Sequence, residues 1–350
     1  MFNQYGKPSA ALIMQKKSFF EDNLQHIEKQ REISKVYISQ EERKLCKNCN
    51  KPLSNDSDFI KDSISYKICK VCSHLNGAFE DTNTFCESVY TSDDGKNYAQ
   101  NYDAMNVENF NYRVSSIYIP KAEFLFTSLN NQEVNPHKLK YLDFGAGSGY
   151  FVSALSKIGI QNIIGSEVSK YQVDLGNKMI GAEYLQVHSL TQSEKVLQET
   201  DANVVSMIGV LEHLQEPRKA IEAIVNNENI EYLYISVPLF SLSVYIEMLS
   251  DDIFHRQLHG GHTHLYTEES LSYLADEFGF DIESQWWFGT DIVDLYRNLF
   301  INLENKNVSD TMKKHYKSMM NSFIDAMQAE IDKNHLSSEV HMLLKKRSYA

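Results

Sequence analysis

Between Lys138 and about Gln285, short apolar runs alternate with stretches in which apolar residues recur every three or four positions. The runs are Leu139–Phe144, Ile163–Gly165, Tyr184–Val187, Val204–Met207 and Tyr232–Val237. Such runs read as strands buried on both faces, and the stretches between them as helices. Strands alternating with helices imply a parallel sheet covered on both sides. Before this region, Leu12, Phe19, Phe20, Leu24 and Ile27 recur at helical spacing among many charges, which predicts helix from about Ser9 to Lys44. Pro120 is placed to start a helix that Ala122 to Leu129 continue. After it, Met312, Met319, Phe323, Met327 and Ile331 predict a helical tail from Ser309 to Lys346.

Residues 46–72 are too short and too irregular to build a core, so something else must hold them. The predicted fold is α/β: a doubly wound, mostly parallel, Rossmann-like sheet with a small N-terminal cysteine-bearing module and helical extensions. The expected divisions are a helical extension (1–44), a cysteine-bearing ribbon (45–76), a helical connector or lid (77–137), the main α/β domain (138–300) and a C-terminal helical extension (301–350).

Cysteine spacing gives the ribbon its chemistry. Cys46-x2-Cys49, nineteen residues, then Cys69-x2-Cys72 supplies two knuckles of paired thiolates. Two such pairs complete a closed tetrahedral site, which suits a structural zinc. A redox C-x2-C would not need the second pair. His74 is a lesser candidate ligand, and Cys86 reads as a packed core cysteine.

Within the main domain, Leu142-Asp143-Phe144-Gly145-Ala146-Gly147-Ser148-Gly149 runs from the first strand into a glycine turn and then a helix at Tyr150–Lys157. Glycines let the backbone turn sharply and approach a ligand. The second strand ends in Glu167, about twenty residues on, where a carboxylate can accept both hydroxyls of a ribose. Two further segments stand out: Val210-Leu211-Glu212-His213-Leu214 after the fourth strand, and His262-Thr-His264-Leu265-Tyr266-Thr267-x-x-Ser270-Leu271 after the fifth.

Together these four motifs, in this order over residues 138–285, resemble the class I S-adenosylmethionine-dependent methyltransferases. The resemblance implies S-adenosylmethionine as cofactor, with contacts from Asp143, Gly145, Ala146, Gly147, Gly149, Glu167, Val168 and Gly209. Many relatives carry an acid after the third strand for the adenine amino group. Here the stretch is Val187-His188-Ser189-Leu190, so a backbone group, His188 or Ser189 is expected to serve instead. The N-terminal cysteine ribbon joined to such a domain resembles the layout of sugar C-methyltransferases acting on nucleotide-linked sugars. That implies a small polar acceptor of sugar type, as used in building a surface polysaccharide, and a histidine base.

Four of twelve histidines fall within ten residues: His255, His259, His262 and His264. His262 matches the family's histidine and is the first candidate base. His264, two residues on, is expected to share its face along an extended segment. His213, beside Glu212, is the third. His255 and His259, aided by Asp251 and Asp252, form a candidate second metal site. Tyr98 and Tyr102 are candidate covers for the cleft, with a core helix face as the blander reading. Of Trp286 and Trp287, one is expected to pack and the other to line a sugar site.

Charge narrows the partners. With Lys+Arg 34 and Asp+Glu 47, the net charge is −13, which disfavours nucleic acid. Lys44, Lys47, Lys51, Lys61, Lys67 and Lys70 around the ribbon keep a local RNA-docking alternative open, diluted by Asp56, Asp58 and Asp62. A non-catalytic partner protein of the same fold is the other alternative; the intact glycine loop and Glu167 argue against it. No apolar run reaches membrane-spanning length, so a cytoplasmic location without membrane insertion is expected. The terminal helices are a candidate homodimer interface.

Overall fold

Residues 1–10, 13, 22–91, 106–254, 256–258 and 261–347 are described by the computed structural model. Among them, the apolar runs form the strands the pattern predicts: β5 (Tyr141–Phe144), β6 (Ile163–Glu167), β7 (Leu185–Val187), β8 (Val204–Ile208) and β9 (Tyr232–Pro238). With β1 (Phe2–Tyr5), β11 (Phe280–Phe288) and β12 (Glu339–Lys346) they make one sheet in the order β1-β11-β12-β9-β8-β5-β6-β7. Only β12 runs antiparallel to its neighbours.

All seven residues of β9 are buried, because both faces of the sheet are covered. Leu233, Ile235 and Val237 enter one core, together with α5 (Pro217–Asn226) and α6 (Glu268–Glu277). Tyr232 and Tyr234 enter the other, with α2 (Ile119–Asn130) and α3 (Tyr150–Lys157). No helix among the described residues is long and apolar enough to cross a membrane.

Three expectations are corrected. Of the helix expected from Ser9 to Lys44, Ser9, Ala10 and Ile13 are helical, residues 11, 12 and 14–21 lie outside those described, and α1 (Asn23–Ile38) stops short of Lys44; ahead of it β1 pairs with β11 through Phe2↔Ser284 to Tyr5↔Trp287. The tail is helical only through α8 (Asp310–Asn321) and α9 (Ile324–Lys333), after α7 (Asp291–Asn305). Residues 339–346 then enter the sheet between β9 and β11, alternating Val340, Met342 and Leu344 into one core with Leu343 into the other. The tail's methionine stripe also divides differently. The break between α8 and α9 rotates the face, so Met320 and Ile324 are buried while Met312, Met319 and Met327 are exposed. Finally, Trp286 and Trp287 both lie within β11 and are both buried, one in each core, so neither lines a surface site.

The cysteine segment is more regular than its composition suggests. β2 (Phe59–Lys61), β3 (Ile64–Ile68) and β4 (Leu75–Gly77) form an antiparallel sheet extended by β10 (His264–Leu265) from the main domain. His264↔Asn76 and Leu265↔Leu75 are the paired residues, and Gly77 N donates to Thr263 O at 2.8 Å. Asn48 Nδ2 donates to Ser270 O, and Arg218 to Asn48 O, across the same joint. The next residue, Tyr266, bridges to Leu239 just after β9. The segment 263–266 thus pairs with the ribbon's sheet on one side and bridges to the chain just past β9 on the other, which ties the ribbon to the main domain.

Candidate active site

At the carboxyl ends of β5 and β6, the glycine turn lies where ligands bind in open α/β sheets. Gly145, Gly147 and Gly149 have φ of 73°, 53° and 73°, a left-handed conformation that costs little only for glycine. A Cβ on Gly145 would stand 2.6 Å from Val210 Cγ2, so the loop is pressed against the turn that follows β8. Gly145 N and Ala146 N both donate to Ser166 O, at 2.8 and 3.1 Å. Gly165 and Gly176 were not expected to matter. Their absent side chains admit Leu185 and the Ser148 carbonyl, and so seat the loop. A glycine inside a strand pattern is a signal of such close approach.

Glu167 is buried, and burial raises its pKa. Its carboxylate accepts from Gly147 N at 2.8 Å, Val168 N at 2.8 Å and Ser169 N at 2.9 Å. The second strand's acid is thereby tied to the first strand's loop. Asp143, also buried, accepts from Ser206 Oγ at 2.7 Å and is pushed up to about 7 by burial. Ser206 is a further residue that sequence did not mark. His188 turns inward: its ring nitrogens meet Ser166 Oγ (2.8 Å) and Ser193 Oγ (3.3 Å), and its ring lies against Phe144. Burial lowers its pKa, so the imidazole is neutral. Ser189 caps the following turn through Gln192 and Thr191.

Beside the glycine loop, β8 ends at Ile208, Gly209 (φ 68°) follows, and the chain turns through Leu211–His213. There the structure gathers Glu212, His213 and His262, whose nearest donor atoms all lie within 4.8 Å of one another. His213 Nδ1 meets Gly261 O at 3.0 Å, and His262 Nδ1 meets Gln257 O at 3.0 Å. A carbonyl only accepts, so both imidazoles carry the proton on Nδ1 and the lone pair on Nε2. Burial lowers His213 to about 4 and raises Glu212 to about 8. Glu212 is 3% exposed, and its Oε2 has no hydrogen-bond partner among the described residues.

His264 is fully buried in the joint with the ribbon, 2.8 Å from His74 Nε2 and against Tyr266, and burial holds it neutral. His74 is accordingly a partner of His264. His255 and His259 lie outside the described residues, as do Tyr98 and Tyr102. Asp251, expected near the first two, pairs instead with Lys61 at 2.9 Å.

In the ribbon, Cys46, Cys49, Cys69 and Cys72 are buried, and their sulfurs lie within 4.8 Å of one another. Cys46–Cys72 and Cys49–Cys69 stand 3.7 and 3.5 Å apart. Four sulfurs placed tetrahedrally about 2.3 Å from a metal are roughly 3.8 Å apart, so the donor set has the dimensions of a zinc site. Asn76 Nδ2 and Val71 N point at two of the sulfurs, as donors to thiolates do. Cys86 is buried in the neighbouring core, away from this cluster.

Comparison with known proteins agrees with the motifs. The protein-family profile described as "Methyltransferase domain" matches residues 111–285, half of the chain. No curated protein matches in sequence. Among solved structures, the chain is similar to a magnesium protoporphyrin IX methyltransferase from Synechocystis with bound S-adenosylhomocysteine (SAH), at 13% identity and TM-score 0.48, over 76% of this chain and 100% of that one. It is also similar to a putative sarcosine dimethylglycine methyltransferase from Galdieria sulphuraria, at 17% identity and TM-score 0.46, over 73% of this chain and 98% of that one.

Proposed function

Because the chain belongs to the methyltransferase-domain family and is an S-adenosylmethionine-dependent methyltransferase, we propose that it methylates a small polar acceptor, a sugar or nucleotide-linked sugar, with a histidine as base. The observation that carries this reading is the meeting of Glu212, His213 and His262 with the glycine loop at one sheet edge. The sugar assignment draws further support from the ribbon-plus-domain layout.

In this reading, bound S-adenosylmethionine would supply its methyl group in line to the acceptor's nucleophilic atom, with SAH as the leaving group. Glu167 has three of its four lone-pair sites on backbone N–H groups, which hold the carboxylate in place and leave one site to accept a ribose hydroxyl. Gly145, Ala146, Gly147 and Gly149 admit the methionine part, backed by Asp143. Val168 and Gly209 flank it, and His188 and Ser189 shape the adenine end. His262 removes the acceptor proton through Nε2, with His213 beside it at a ring-centroid distance of 5.0 Å. His264 positions the segment by its bond to His74. Aligning donor and acceptor contributes roughly 7–11 kcal/mol and a general base roughly 10²–10⁴-fold.

The same three groups also suit a divalent cation. Imidazoles whose Nδ1–H is held by backbone carbonyls are oriented to ligate through Nε2, and a bound cation would acidify an acceptor hydroxyl directly. Methyl transfer that survives exhaustive chelation favours the base; activity restored only by added metal favours the cation.

For the ribbon we propose a structural zinc on Cys46, Cys49, Cys69 and Cys72, which suits a reducing, cytoplasmic setting. Against RNA docking stand the ribbon's own lysines. Lys47 pairs with Asp81, Lys61 with Asp251 and Lys67 with Glu42, so three of the six expected positive charges are already matched. The test is SAH production from S-adenosylmethionine with a panel of nucleotide sugars. Turnover lost in His262→Ala while the cofactor still binds supports the reading. Turnover with RNA alone overturns it.

A further inference from the structure

The sheet order divides the carboxyl edge in two. Glu167 and the glycine loop occupy the β5–β6–β7 half. The other half, at the carboxyl ends of β9, β11 and β1 and the start of β12, collects positive charge. Lys7 follows β1 directly, pinned where Gly6 N donates to Trp287 O and Trp286 Nε1 donates to Gly6 O. Its ammonium stands 5.1 Å from the ring centre of Phe288, at the end of β11. Lys121, from α2, reaches the same ring at 5.9 Å. Arg256 approaches from the segment after β9. Three cations thus converge from distant parts of a chain whose net charge is −13.

Among the described residues they share one carboxylate. Glu339 lies 3.2 Å from Lys121 and 3.7 Å from Arg256, and among the described residues Lys7 has no ion-pair partner and the buried Arg256 Nε no hydrogen-bond partner. Lys7 itself is lowered to about 7, first by burial and then by Lys121. Gathering cations beyond their counter-charge in a half-buried place is unfavourable unless an anion completes it.

We propose that Lys7, Lys121 and Arg256 form an anion subsite that holds the diphosphate of a nucleotide-linked acceptor. The inference rests on the methyltransferase reading for its acceptor, and it deepens that reading from a polar molecule to an anionic one. A diphosphate anchored here places the attached sugar toward Glu212, His213 and His262. Lys121 and Arg256 supply charge-assisted donors, and Lys7 becomes fully protonated when the anion arrives.

The test is calorimetry on the full zinc-loaded chain, with pyrophosphate, uridine diphosphate and uridine as probes, each with and without SAH. The subsite predicts that uridine diphosphate and pyrophosphate bind and uridine does not. Lys7→Met, which removes a cation that no carboxylate pairs, weakens both by about tenfold and leaves SAH affinity unchanged. Arg256→Gln, a second variant, moves in the same direction. Absence of binding by both phosphates, in protein that binds SAH, overturns the subsite and leaves the methyltransferase reading standing. Loss of SAH affinity in Lys7→Met also overturns it, since the cations would then serve the cofactor. Phosphate binding in protein that never binds SAH supports the subsite and sinks the methyltransferase reading.

Discussion

Gly145→Ala tests how tightly the glycine loop is joined to the turn that bears Glu212 and His213. At φ 73° an L-residue costs about 1–2 kcal/mol. The new Cβ would also meet Val210 Cγ2 at 2.6 Å and Cγ1 at 3.0 Å, where ordinary carbon contacts lie near 3.5–4.0 Å. Val210 must therefore retreat by about 1 Å, and overpacking of that kind costs about 1–3 kcal/mol. The sum is a loss of about 2–5 kcal/mol. Val210→Ala alone loses two carbons from a nearly buried position, about 1.5 kcal/mol. In the double variant the clash is gone and only the backbone strain and the lost carbons remain. The cycle should therefore show a favourable coupling of about 1–3 kcal/mol, the size of the removed clash, read from urea unfolding of all four proteins. S-adenosylmethionine affinity should fall at least tenfold in Gly145→Ala, because Gly147 N–H is drawn off Glu167. Costs that add within about 0.5 kcal/mol would refute the contact between loop and turn.

Other consequences are as direct. His262→Ala should lower methyl transfer by roughly 10²–10⁴-fold while cofactor binding persists; an equal loss of cofactor affinity would place His262 elsewhere. Cys72→Ser, or chelation, should release one equivalent of zinc and lower the melting temperature, with β10 losing amide protection first because it pairs with β4. Asp291→Ala should cost about 3–5 kcal/mol in urea unfolding, since the buried carboxylate accepts from Ser241 Oγ, Ser243 N and Oγ, Gln328 Nε2 and Ser338 N. Buried Glu247 is raised to about 8 by desolvation, above its unfolded value, so its proton leaves the unfolded chain first. Its contribution disfavours folding as pH rises from about 4.5 to about 8, by at most about 1.4 kcal/mol per pH unit. Glu247→Gln should flatten that slope in melting temperature against pH.

The parallel strands were legible because burial on both faces leaves uninterrupted apolar runs. β1 and β12 were not: β1 is four residues of mixed polarity, and β12 ends in Lys345 and Lys346 behind a helical pattern. Glu167, Asp143 and the glycines announce themselves by spacing along one crossover. The trio does so only in part. His213 and His262 each sit in a motif, yet their meeting depends on the carbonyls of Gly261 and Gln257, which no pattern encodes. Trp287 packs because β11 is interior, a fact set by where β1 and β12 dock. Lys7, Lys121 and Arg256 share no sequence signal at all; only the sheet order brings them to one edge.

The central claim is tested most directly by S-adenosylmethionine calorimetry on folded wild type and on Glu167→Ala. The account predicts one equivalent bound by wild type and an affinity at least a hundredfold weaker in the variant, about 2.7 kcal/mol, as expected for lost hydrogen bonds to a charged acceptor. Wild type that is folded and zinc-loaded but binds nothing would contradict it, as would a folded Glu167→Ala that binds as tightly as wild type.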